Sequence, residues 1–180
     1  NCQLSYNETP SNVVVIMDST FTNCINSQSG GAILFVKDGE LTVHDTFFKS
    51  CYITGESVGG AICACKTLGD IGYDMQHGCA KLFHSHYCCY SECSGQYGGA
   101  AFVVSQNLEL NYSSVVGSNS PSQTHGAQFD LNATGSLIGS EFVNVTFGVA
   151  RFCAAIEYRQ AQNGFFRFQT LLNNTGSYVS

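Results

Sequence analysis

Apolar residues in this chain recur at alternate positions over short stretches bounded by small polar residues. Val14-x-Ile16, Leu41-x-Val43 and Leu108-x-Leu110 are the clearest cases, and the stretch at Leu137 is fainter. Alternation over so few residues predicts short β-strands with one buried face. No stretch carries the 3.6-residue period of an amphipathic helix, and the Gly, Ser and Asn punctuation would break one. The expected class is all-β.

The strands belong to a repeat. An aromatic or large apolar residue stands three positions ahead of a Cys or Asn in Phe21-Thr22-Asn23-Cys24, Phe48-Lys49-Ser50-Cys51, Tyr90-Ser91-Glu92-Cys93 and Val116-Gly117-Ser118-Asn119. Degenerate copies follow at Phe142-Val143-Asn144-Val145 and Phe168-Gln169-Thr170-Leu171. The anchors step by 27, 42, 26, 26 and 26 residues. The long step equals one repeat plus a loop of about 15 residues. Gly30-Gly31-Ala32-Ile33, Gly59-Gly60-Ala61-Ile62 and Gly98-Gly99-Ala100-Ala101 recur in phase, with weaker copies at Gly126-Ala127 and Ala154-Ala155-Ile156.

Short strands and tight turns repeating at this interval fit a parallel β-helix, in which each repeat is one coil and the chain climbs ~4.8 Å per coil. Phe21, Phe48, Tyr90, Phe142 and Phe168 are then expected to form an internal aromatic column. The Gly-Gly pair supplies a turn with positive φ before Ala-Ile re-enters the interior. Positions 24, 51, 93 and 119 are expected at one corner, where a Cys24–Cys51 bridge is geometrically allowed. A disulfide-stapled β-sandwich also has short strands and frequent turns. It has no reason to repeat both motifs in phase.

The recurring Gly-Gly-Ala-Ile tetrapeptides and Phe-x-x-Asn-like turns resemble the right-handed β-helix repeats of polymorphic outer-membrane proteins and related pectin-lyase-like surface proteins. The resemblance covers roughly residues 13–171, with Cys standing where that family usually has Asn. It implies a right-handed parallel β-helix of about six coils and a surface or secreted role in adhesion or assembly, without chemistry. Residues 1–180 are expected to form one β-helical domain, with 63–89 as an inserted Cys/His-rich loop.

Composition adds a compartment. Of 180 residues only 11% are charged, while 44% are hydrophobic, so the chain can bury a core. A net charge of -6 without any basic block argues against nucleic acid as partner. No apolar run approaches the ~20 residues of a membrane span. No charged-then-apolar leader precedes Asn1, so a signal peptide is expected to have been removed or to lie outside this segment. Ten cysteines (Cys2, Cys24, Cys51, Cys63, Cys65, Cys79, Cys88, Cys89, Cys93 and Cys153) are an even number at high density. N-x-S/T sequons begin at Asn7, Asn111, Asn132, Asn144 and Asn173. Together they predict a secreted eukaryotic glycoprotein whose cysteines pair and whose sequons carry N-linked glycans.

Two constellations bear on chemistry. The first is the cluster of Cys63, Cys65, His77, Cys79, His84, His86, Cys88 and Cys89. His84 and His86 share a strand face, as metal ligands could. The Cys-x-Cys and Cys-Cys spacings do not match zinc sites, however, and oxidised sulfur ligates poorly. A disulfide-held loop is expected, with neither metal nor cofactor. Adjacent Cys88 and Cys89 should face opposite sides.

The second constellation is Asp18 and Asp45, aligned one coil apart with His44 beside them. Two stacked carboxylates could share a proton, hold a cation or serve a retaining glycosidase. An Asp before Ser-Thr or Thr-Phe more simply caps a turn. Asp18 and Asp45 are thus weak catalytic candidates, and Arg151 and Arg159 are expected as surface charges. The leading expectation is a structural glycoprotein of the cell surface or extracellular space. Neither end offers a capping helix, so stacking on copies of itself or on flanking coils is expected. The alternative is a carbohydrate-binding or carbohydrate-cleaving β-helix.

Overall fold

In a computed structural model of the chain, every strand pairing is parallel, and no helix occurs among the described residues. The structure describes residues 4–6, 13–36, 39–55, 58–65, 80–95, 99–117, 119–120, 127–130, 134–138, 141–143, 146–147, 156–159, 163–167 and 170–172. A first pass lays down β1 (Leu4–Tyr6), β2 (Val13–Met17), β3 (Thr20–Thr22) and β4 (Ile25–Asn26). The second repeats them as β5 (Ile33–Val36), β6 (Glu40–His44), β7 (Phe47–Lys49) and β8 (Tyr52–Ile53). The third contributes β9 (Ile62–Cys65), β10 (Ala80–His86) and β11 (Cys89–Ser91), and Ser94 bridges to Tyr52.

In the fourth pass the first two strands fuse into β12 (Ala101–Asn111), followed by β13 (Ser114–Val116) and β14 (Asn119–Ser120). Next come β15 (Ala127–Asp130), β16 (Thr134–Ile138), β17 (Glu141–Val143) and β18 (Thr146–Phe147). The last pass holds β19 (Ile156–Arg159), β20 (Asn163–Arg167) and β21 (Thr170–Leu172). In the first three ladders each strand pairs with its counterpart in the next pass, while the fourth position is carried by the pairs β4–β8 and β14–β18, so the chain visits its ladders in the same order each time. The all-β, parallel expectation holds.

The predicted alternation sets the second ladder. Val14, Leu41, Phe83 and Leu108 share one register position, and Ile16, Val43, Ser85, Leu110 and Leu137 share another. Val14, Ile16, Leu41, Val43, Phe83 and Leu110 are buried, while Val13, Val15 and Met17 between them face out. The first ladder differs. Its runs Ala-Ile-Leu-Phe, Ala-Ile-Cys-Ala and Ala-Ala-Phe-Val are buried on both faces, so they read as continuous apolar sequence.

The aromatic column stands across the first three passes. Phe21 and Phe48 stack with centroids 5.1 Å apart and planes 5° from parallel, and Phe48 and Tyr90 stack at 4.9 Å and 3°. Tyr90 carries a hydroxyl into a buried place, and the core answers it. Ser85, one register position from an otherwise aliphatic column, holds the Tyr90 hydroxyl at 2.8 Å. Burial pushes the Tyr90 phenol well above its ordinary pKa.

Beyond Tyr90 the register corrects the sequence alignment. Val115, not Val116, pairs with Tyr90 and Phe142, and Leu171, not Phe168, pairs with Phe142. Asn119 opens β14 and so lies one place past the expected corner. The cause of the first shift is Gly117, which takes the positive-φ corner position that Glu92 holds one pass earlier. The second arises because the last pass steps by 29 residues in all three of its ladders, for example Glu141 to Thr170. Phe168 itself lies outside the described residues.

Both ends of the expected 63–89 insertion run in ladder register. Cys63 and Cys65 belong to β9, and Ala80–His86 and Cys89–Ser91 pair on both sides. Residues 66–79, with His77 and Cys79, lie outside the described residues.

Candidate functional site

In each of the first four passes two corners bend through a single residue of positive φ. Asp18, Asp45, Tyr87 and Tyr112 lead into the third ladder, and Asn23, Ser50, Glu92 and Gly117 lead out of it. The next residue turns inward and caps the bend. Ser19, Thr46 and Ser113 donate their hydroxyls to the carbonyl two residues back, at 2.7, 2.8 and 3.1 Å. Cys88 does the same with its thiol, donating to His86 O at 3.4 Å. At the exit corner Cys24, Cys51 and Cys93 donate to Thr22, Lys49 and Ser91 carbonyls. A buried cysteine is a small apolar group with a weak donor, which suits this place.

The thiols of this exit corner form a column. Each thiol has an alternative acceptor in the preceding pass, Phe21 O at 3.5 Å from Cys51 Sγ and Phe48 O at 3.8 Å from Cys93 Sγ. A hydrogen bond from Cys93 holds the Cys51 thiol down to about 7, while the same contact and burial push Cys93 up. Burial likewise raises Cys88. Cys51, Cys88, Cys89 and Cys93 are thiols in this structure. Cys88 points inward and half-exposed Cys89 outward, as expected of adjacent strand residues. Cys63 is buried in β9 beside Leu34 and Phe102. Cys2, Cys79 and Cys153 lie outside the described residues, and for Cys65 only the backbone is described.

The outer end of the second ladder gathers the polar chemistry. Parallel register sets Met17, His44, His86 and Asn111 in one row and Thr42, His84 and Glu109 in the row beside it. Exposed Tyr87 and Tyr112 flank them, stacked at 5.2 Å. His86 Nδ1 lies 3.2 Å from His44 Nε2. On its other side, His44 Nδ1 is 2.7 Å from Asp45 Oδ2, and His84 Nε2 is 3.5 Å from Glu109 Oε2, both off the line of a hydrogen bond. Partial burial, then the neighbouring His84 and His44, hold His86 below its ordinary pKa.

Asp18 and Asp45 occupy one corner column, as aligned, and both adopt the left-handed turn conformation that Asp tolerates. Their backbone amides bond to the next pass, Asp18 to His44 O and Asp45 to His86 O. Asp45 also neighbours His44, a contact that its turn role does not require. The sequence linked His84 to His86 along one strand. It did not link His86 to His44, 42 residues away, because only register brings them together.

Of the sequons, Asn111 is half-exposed at the end of β12, with its Ser113 hydroxyl turned inward. Asn7, Asn132, Asn144 and Asn173 lie outside the described residues, as does Arg151, while Arg159 ends β19 opposite Asp130. No helix among the described residues is long and apolar enough to cross a membrane. No family model, curated protein or solved structure matches this chain.

Proposed function

We propose that the passes close into a right-handed parallel β-helix of about six coils that serves as a structural, extracellular or cell-surface glycoprotein. The stacking of like residues on like in parallel register supports it, most directly the Phe21–Phe48–Tyr90 column at the spacing of neighbouring strands. A repeat of this kind propagates along one axis, and another copy or further coils can continue it by pairing with an open strand. Asp18 and Asp45 serve as turn residues on this reading, and the protein is not an enzyme. On this reading Cys51 pairs with a cysteine of an adjacent pass in an oxidising compartment, and its side-chain contacts with Cys93 and Cys24 support that.

Negative-stain microscopy and sedimentation of the glycosylated chain test the assembly. Filaments or end-to-end oligomers are expected, whereas a strictly monomeric particle overturns that half of the reading. Mass mapping of freshly isolated protein tests the compartment, where ten free thiols would be incompatible with it. Loss of sugar binding or turnover in Asp45→Asn would instead favour a carbohydrate-active β-helix.

A further inference from the structure

We propose that His44 and His86 form a chelating pair for a borderline divalent transition-metal ion on the outer face of the second ladder. The two nitrogens that face each other come from equivalent positions in successive passes, and their separation is 3.2 Å. Two imidazoles bound at 2.0–2.1 Å place their ligating nitrogens about 3.4 Å apart at a tetrahedral angle and about 2.9 Å apart at a right angle. The observed distance falls between these limits. The ring centroids give a second check. Extending each metal–nitrogen vector to its ring centre predicts a separation of about 5.2 Å for the tetrahedral case, and 5.1 Å is found. A linear imidazole–imidazole hydrogen bond of the same length would hold the centroids farther apart, at about 5.5 Å. The rings therefore depart from a collinear arrangement along the line between the two nitrogens.

The surroundings suit the pair to this task. The Asp45 carboxylate beside His44 Nδ1 favours the proton on that nitrogen and frees Nε2 as a donor of electrons. His86 presents Nδ1, and binding a cation there displaces the proton that the two rings otherwise share. Tyr87 and Tyr112 lie against His86 on the solvent side, at centroid distances of 4.2 and 5.5 Å, and restrict its rotation. His84, with its ring centre 5.3 Å from that of His86 and its Nε2 3.5 Å from Glu109 Oε2, is left out of the proposed pair. Among the described residues no group of three or more ligating side chains converges, so water completes the coordination shell. Imidazole nitrogen selects zinc, nickel, cobalt or copper over magnesium and calcium. The inference is independent of filament assembly.

Co2+ is the probe, because its spectrum separates imidazole from sulfur ligation. Titrating the full chain with Co2+ should show one site whose weak visible bands lack sulfur-to-cobalt charge transfer. Affinity should fall at least tenfold in His44→Ala and in His86→Ala, and stay within twofold in His84→Gln. All three side chains are partly exposed, and circular dichroism of each variant verifies that the strands remain. Uptake unchanged in the His44→Ala/His86→Ala double variant, charge-transfer bands from thiolate, or no uptake by the wild type would each overturn the assignment.

Discussion

At the corner entering the third ladder the positive-φ position is held in turn by Asp18, Asp45, Tyr87 and Tyr112, whereas at the corner entering the first ladder it is held by Gly30 and Gly59. Both corners make the same left-handed step, yet one accepts bulky side chains and the other accepts none. The difference is the neighbour. A Cβ on Gly30 would sit 2.1 Å from Ile33 O, and one on Gly59 2.0 Å from Ile62 O. The second glycine of each pair is crowded by the adjacent pass, with Gly31 against Gly60 O and Gly60 against Gly99 O. At Gly117 the nearest atom to a Cβ is Glu92 Cγ, at 3.7 Å. Positive φ alone thus leaves the choice of residue open, and backbone-to-backbone approach closes it.

Gly60→Ala should break this comparison most severely. The added carbon meets backbone that cannot swing aside, so a loss of at least about 5 kcal/mol is expected in urea unfolding, much of the stability of an ordinary domain. Next in size is Ser85→Val, which moves the constraint from backbone to side chain. It leaves the buried Tyr90 hydroxyl without its serine and should cost about 1–3 kcal/mol. Adding Tyr90→Phe removes the orphan and should recover most of that loss. Smallest is the exchange of the tolerant corner residues. Tyr87→Asn should stabilise by up to about 1 kcal/mol through relief of left-handed strain, and Gly117→Asn should shift stability by less than about 0.5 kcal/mol. A large loss in Gly117→Asn would show that the two kinds of corner are equally crowded.

Much of this was legible in the chain itself. The Gly-Gly-Ala pairs marked the first corner, the alternation marked the second ladder, and Phe21, Phe48 and Tyr90 marked a column that the rings realise. The alignment failed where its letters carried less information than the bend. Val116 and Asn119 looked like an anchor pair because Asn resembles the corner cysteines, but the bend follows Gly117 and shifts both by one place. The continuous apolar runs of the first ladder were a readable sign of burial on both faces and differ in kind from the alternation elsewhere. The Ser85–Tyr90 pair left no separate trace, since either residue alone looks like ordinary variation in a repeat.

Local patterning by itself determined the class of this protein: period-two stretches and glycine-marked turns favour short strands whatever surrounds them. Only the tertiary structure decided which residues share a row. Pairing in parallel register depends on the full length of chain between two strands, and a change of one residue moves every side chain to another neighbour. That is why His44 and His86 face each other across 42 residues of sequence, and why Cys24, Cys51, Cys88 and Cys93 serve as inward corner caps in the folded chain.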